Sequence, residues 1–100
     1  MFERLAAEHM RESNVVRRRM FGRDGLNVNG KFYAFLDRDR LALKLPPARA
    51  AALIESGQAR TAVDLSPTMR AWVSLPPPAA PDDDSWRELL AEARSYAVER

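Results

Sequence analysis

Asn29-Gly30, set between Val28 and Lys31-Phe32, narrows the fold more than any other feature of the chain. A two-residue type I′ turn needs positive φ at both central positions, and Asn followed by Gly meets that need at least steric cost. Strands must therefore run into and out of it. Leu26-Asn27-Val28 leads in, and residues 31–36 lead out with alternating and aromatic character. Upstream, residues 15–21 open with two β-branched valines and read as another strand, followed by Gly22-Arg23-Asp24-Gly25 as a four-residue turn. Downstream, Asp37-Arg38-Asp39 turns the chain into residues 40–45. There Leu41, Leu43 and Leu45 face one way and Arg40, Ala42 and Lys44 the other, the alternation of a sheet covered on one side. Short turns joining successive strands make an antiparallel meander.

Helices surround this meander in sequence. In residues 2–12, Phe2, Leu5, Ala6, His9 and Met10 recur at helical spacing along one face, and Ser13-Asn14 supplies the stop. Pro46-Pro47 opens an alanine-rich second helix through Ser56, with Gly57 placed to end it. Strands follow at about 60–65 and 69–75. Residues 76–81, with four prolines, cannot donate enough hydrogen bonds for a sheet and form a stiff extended connector. The last helix, about 85–98, carries the apolar stripe Trp86, Leu89, Leu90, Ala93 and Ala97. Ser85 with Glu88 suits a capping box, and Asp82-Asp83-Asp84 lies against the positive helix end. The expected fold class is α+β in the order α-β-β-β-β-α-β-β-α. It is an antiparallel sheet of about four meander strands plus a second hairpin, packed on helices in one domain over residues 1–100.

Composition removes several function classes. With no cysteine there is no disulfide, thiolate zinc site or cysteine nucleophile, and a reducing, cytoplasmic setting is expected. No apolar run approaches a membrane span, and the charged start does not suit a signal peptide. The net charge is +2 but unevenly placed: residues 1–81 carry 13 basic and 8 acidic groups, residues 82–100 carry 3 and 6. A basic body suits an acidic partner or nucleic acid; a high-GC codon bias toward arginine over lysine produces the same composition.

Candidate chemistry is sparse. His9 is the single histidine, on a face with Leu5, Ala6 and Met10, where packing explains it better than catalysis. Asp37-Arg38-Asp39 and Asp82-Asp83-Asp84 read as a turn and a helix start, because the spacing of a calcium loop is absent. The phosphate-loop spacings also fail at Gly22 to Gly25. Arg17-Arg18-Arg19 is the densest basic run. On a strand it cannot form one patch, since Arg18 points away from Arg17 and Arg19. If Val16 and Met20 face the core, Arg18 is the misfit; if Val15 and Phe21 do, Arg17 and Arg19 are. A charged edge strand that resists aggregation is the plainest account. Trp72, Trp86, Phe32, Tyr33 and Phe35 are core or near-core, with Tyr33 and the Phe32/Phe35 pair divided between the two faces.

The segments Arg19-Met20-Phe21-Gly22, Gly25-Leu26, Val28-Asn29-Gly30-Lys31-Phe32-Tyr33-Ala34 and Leu41-Ala42-Leu43-Lys44 together resemble the N-terminal domain of TfoX/Sxy proteins. The Trp72-to-Pro76 strand and the leucine-rich last helix extend the resemblance to about residues 12–98. It implies a YjbR-like fold. It also implies bacterial proteins that regulate natural competence and transcription, acting with the cyclic-AMP receptor protein at promoters and without known catalytic residues. Met20, Phe21, Gly22, Gly25, Asn29 and Gly30 are then mainly structural signature positions. Two departures stand out: Arg23 replaces the second glycine of the family's Met-Phe-Gly-Gly, and Asn27 replaces an aromatic after the Gly-Leu turn. The helix-hairpin-helix-like C-terminal domain of the competence regulators is expected to be lacking.

The expected function is a non-enzymatic regulatory binding module that needs no cofactor or metal and contacts a protein partner, such as part of the transcription machinery. Two alternatives stay open. One is direct DNA binding through basic hairpins, with Arg17, Arg19, Arg23, Lys31 and Arg38 on phosphates. The other is a small-ligand domain. A homodimer through an exposed edge strand or the last helix is a further alternative.

Overall fold

A computed structural model describes residues 2–12, 14–20, 22–62, 72–78 and 84–99. Its elements are α1 (Phe2–Met10), β1 (Val15–Met20), β2 (Arg23–Val28), β3 (Lys31–Asp37), β4 (Arg40–Lys44), α2 (Pro47–Glu55), β5 (Arg60–Thr61), β6 (Trp72–Leu75) and α3 (Asp84–Glu99). The strands form one antiparallel sheet of six in the order β1-β2-β3-β4-β6-β5. The fold class and element order are those read from the sequence. Residues 63–71, 79–83 and Phe21 lie outside the described residues. So do most of the residues added by the longer expected limits of β5 and β6, the end of the proline connector, and Asp82-Asp83.

All three helices pack on one face of the sheet: α1 on β1, α3 across β2, β3 and β4, and α2 on β5 and β6. The core between them holds Leu5, Leu26, Tyr33, Leu41, Leu43, Leu45, Val73 and Leu90, each without exposed surface. Ion pairs tie the helices together at the rim, Arg87 Nη2 to Glu8 at 3.0 Å and Arg49 Nε to Glu92 at 3.0 Å. α2 ends as its sequence demands. Gly57, at φ +81°, donates to the Ile54 carbonyl and Gln58 to that of Leu53, which together make a Schellman motif.

Four expectations need correcting. The four-residue turn from Gly22 to Gly25 is instead a two-residue connection, because Met20 already faces Arg23 and Arg23 begins β2. Gly22 supplies the positive φ of +77°, whereas Gly25 serves a different purpose inside the strand. A Cβ there would lie 3.1 Å from the Phe32 ring and 3.2 Å from the carbonyl oxygens of Ala34 and Arg18, so any side chain would force the ring or the strands to give by a few tenths of an ångström. The helix-free face is also not uniformly polar. Phe35, Ala42, Ala62 and Trp72 form a second buried cluster there, with Phe32 packed against it and the Phe35 and Trp72 rings 5.2 Å apart. α1 stops at Met10, which is 41% exposed and off the buried stripe. Finally, α3 begins at Asp84, so Ser85 lies within its first turn and is not the capping residue.

One irregularity positions the aromatics. Between β2 and β3 the register passes from Leu26 opposite Ala34 to Asn27 opposite Phe32, leaving Tyr33 as an extra residue on β3. Such a bulge shifts the alternation by one. Phe32 and Phe35, three apart, would otherwise point to opposite faces. With the bulge both join the second cluster, and Tyr33 turns into the main core.

Candidate functional site

The arginine strand and its turns are the region that sequence singled out, and β1 has a distinctive construction. Val15 is buried on the helix side while Val16 is 39% exposed on the other. That choice of face makes Arg17 the residue to be accommodated beneath α1. Arg17 Nη1 donates to Glu3 Oε2 at 2.8 Å, its Nη2 donates to the other Glu3 oxygen and to Asp24 Oδ2 at 3.1 Å, and its guanidinium carbon lies 5.8 Å from the Phe2 ring centre. The bond from Arg17 holds the Glu3 carboxyl below the usual carboxylate range. The same bond, with that to Asp24, raises the affinity of Arg17 for its proton. Arg17 is thus the clasp between α1, β1 and β2.

The other candidate cations divide. Arg19 is exposed and donates to the Gly22 carbonyl, bracing the β1–β2 turn. Arg23, at the position where the resembled pattern has glycine, is half-buried and donates from Nε to Asp37 Oδ1 at 2.8 Å, linking β2 to the end of β3. Arg38 is exposed in the β3–β4 turn with φ +60°, a conformation that costs a β-carbon-bearing residue about 1–2 kcal/mol. Arg19, Arg23 and Arg38 therefore share one end of the sheet. Lys31 stands at the other end, beside Asn29 (φ +52°) and Gly30 (φ +84°), where the expected type I′ turn is found. The six residues of β2 separate the ends by roughly 20 Å. The Gly22–Arg23 region and the 29–31 turn consequently do not form one surface.

β1 is an edge strand, and its backbone can be assigned. Met20 and Arg23 face each other across a two-residue connection and so exchange both ladder bonds. Alternation makes Arg18 with Gly25 and Val16 with Asn27 the next bonded pairs, and the bond from Asn29 N to Asn14 O at 3.3 Å continues the series. The N–H and C=O groups of Arg17 and Arg19 then point away from β2, into the open edge.

A second polar feature was not legible beforehand. His9 Nδ1 and Tyr33 Oη are 2.8 Å apart inside the main core, where the bulge delivers the tyrosine. Burial pushes the His9 imidazole below its ordinary pKa. The Arg94 charge acts in the same direction, and Glu8 and Glu12 oppose it. Burial likewise pushes the Tyr33 hydroxyl up, against a smaller opposite effect of Arg94. With a neutral ring, the tyrosine hydroxyl donates to Nδ1 or accepts from it. The spacing of residues 2–10 places His9 correctly on the buried face, but nothing local announces a partner 24 positions later.

Among the described residues, no group of three or more histidine, cysteine or carboxylate side chains is arranged to hold a metal. Nor is any described helix long and apolar enough to cross a membrane. Shallow clefts border α3. One, of about 250 Å³, is lined by Phe2, Leu36, Arg38, Asp39, Pro77 and Trp86. In comparison with known families, the model for the TfoX N-terminal domain matches residues 8–97, nearly the whole chain. Neither curated proteins nor solved structures gave a match.

Proposed function

This chain belongs to the TfoX N-terminal domain family, and we propose that it is a non-enzymatic regulatory module that acts on transcription by contacting a protein partner. The observation that favours protein contact over direct DNA binding is the engagement of the arginines. Arg17 is held by Glu3 and Asp24, and Arg23 by Asp37. Phosphate binding gains its strength from releasing counterions around free cations, and a cation already paired with a carboxylate contributes little of it. Lys31 stands at the far end of the sheet from Arg38, so the set does not follow one groove. The alternating placement of exposed strand and charged side chain at β1 suits recognition of a polypeptide.

Fluorescence anisotropy with labelled duplex DNA at low and high salt tests this reading. We expect no saturable binding at low salt. Tight binding that weakens steeply with salt and with Arg19→Ala and Arg38→Ala would replace protein contact by the DNA reading.

A further inference from the structure

The open edge of β1 is specific about what it can accept. It presents the outward N–H and C=O groups of Arg17 and Arg19, the exposed side chains of Arg18 and Arg19 on opposite faces, and exposed Val16 beside Arg18. Backbone groups directed away from the sheet in this way template the addition of a strand. A second copy meets repulsion at this edge. Antiparallel pairing of β1 with itself centred on Arg18 sets Arg18 against its twin, and like charges directly opposite one another destabilise a ladder. An acidic strand meets no such repulsion. The nearby carboxylates Glu3 and Asp24 are held by Arg17, on the face opposite to Arg18.

Resting on the reading of the chain as a protein-binding module, we propose that β1 is the docking edge for an extended, acidic segment of a partner protein. That segment adds as a seventh strand beside β1. Its backbone bonds to Arg17 and Arg19, its carboxylates lie against Arg18 on the helix-free face and Arg19 on the helix face, and an apolar side chain covers Val16. Backbone pairing supplies affinity, and the arginines select the sign of the partner's charge.

The test is anisotropy of a labelled peptide of valine and paired glutamates, so that carboxylates reach both faces, titrated with the whole chain. Saturable binding is expected, lost when the peptide's backbone is N-methylated and absent for the lysine counterpart. Arg18→Glu with Arg19→Glu, substitutions at exposed sites, weakens the glutamate peptide about tenfold or more and brings in the lysine peptide. Equal binding of the N-methylated peptide, an unchanged affinity in the double variant, or displacement of the peptide by duplex DNA would each overturn the proposal. Host proteins recovered on the immobilised chain separate this failure from that of the underlying reading. Partners retained equally by the double variant leave a protein-binding module that uses another surface. Partners absent altogether, with the peptide also unbound, remove both.

Discussion

The two edges of the sheet are managed in opposite ways. Among the described residues, β5 closes one side with Arg60 and Thr61, directly after the capped end of α2, which packs on it and on β6. So short a strand offers little to template. β1 closes the other side with six residues, a two-residue turn at its end and three successive arginines. Both solutions discourage chains from pairing indiscriminately. They differ in what they leave possible: a short edge rejects every strand, whereas a charged edge rejects only strands of the same charge.

The largest effect is expected from detaching the long edge. Gly25→Val puts a branched side chain against the Phe32 ring and two carbonyl oxygens, and unfolding in denaturant should show a loss of roughly 3 kcal/mol. The matching change at the short edge, Thr61→Val, should stay within about 0.5 kcal/mol. Equal effects would erase the distinction between the edges.

Tyr33→Phe leaves His9 without its partner in the core and should cost about 1–3 kcal/mol. The same pair gives the long-edge side of the molecule, where α1 packs on β1, a pH dependence. The folded-state pKa of His9 lies below its unfolded value, so the unfolded chain takes up the proton first. The stabilisation is present above about pH 6.5 and is lost as the pH falls through the depressed folded value. Thermal melts from pH 7.5 downward should show this decline, and His9→Phe should flatten that part of it.

A smaller change of opposite sign is expected at the β3–β4 turn, which belongs to neither edge. Arg38→Gly removes a β-carbon from a residue at φ +60° and should raise stability by up to about 1 kcal/mol. A decrease would show that the Arg38 side chain holds a stabilising contact.

Much of this architecture was legible because its causes are local. Asn29-Gly30 and Gly57 take the positive φ their residue types permit, and the periodicities of residues 2–10 and 84–99 describe their buried stripes. What could not be read depended on contacts between distant residues. Gly25 looks like a turn residue until Phe32, Ala34 and Arg18 converge on it. The bulge at Tyr33 has no sequence mark, and without it Phe32 and Phe35 fall on opposite faces and His9 has no partner. The site was half legible: the arginine run marked the edge, but the engagement of Arg17 by Glu3 and Asp24 and of Arg23 by Asp37 followed from the fold. The alternation of Arg17 and Arg18 was evident, though which valine faced inward was not.

Residue-resolved amide hydrogen exchange, with and without the glutamate–valine peptide, tests the open edge most directly. In the free protein, Val16 and Arg18 should exchange slowly and Arg17 and Arg19 rapidly, within one strand. Addition of the peptide should slow Arg17 and Arg19 and leave Arg60 and Thr61 unchanged. Uniform protection along β1 in the free protein, or peptide-induced protection elsewhere with Arg17 and Arg19 still exchanging rapidly, would contradict it.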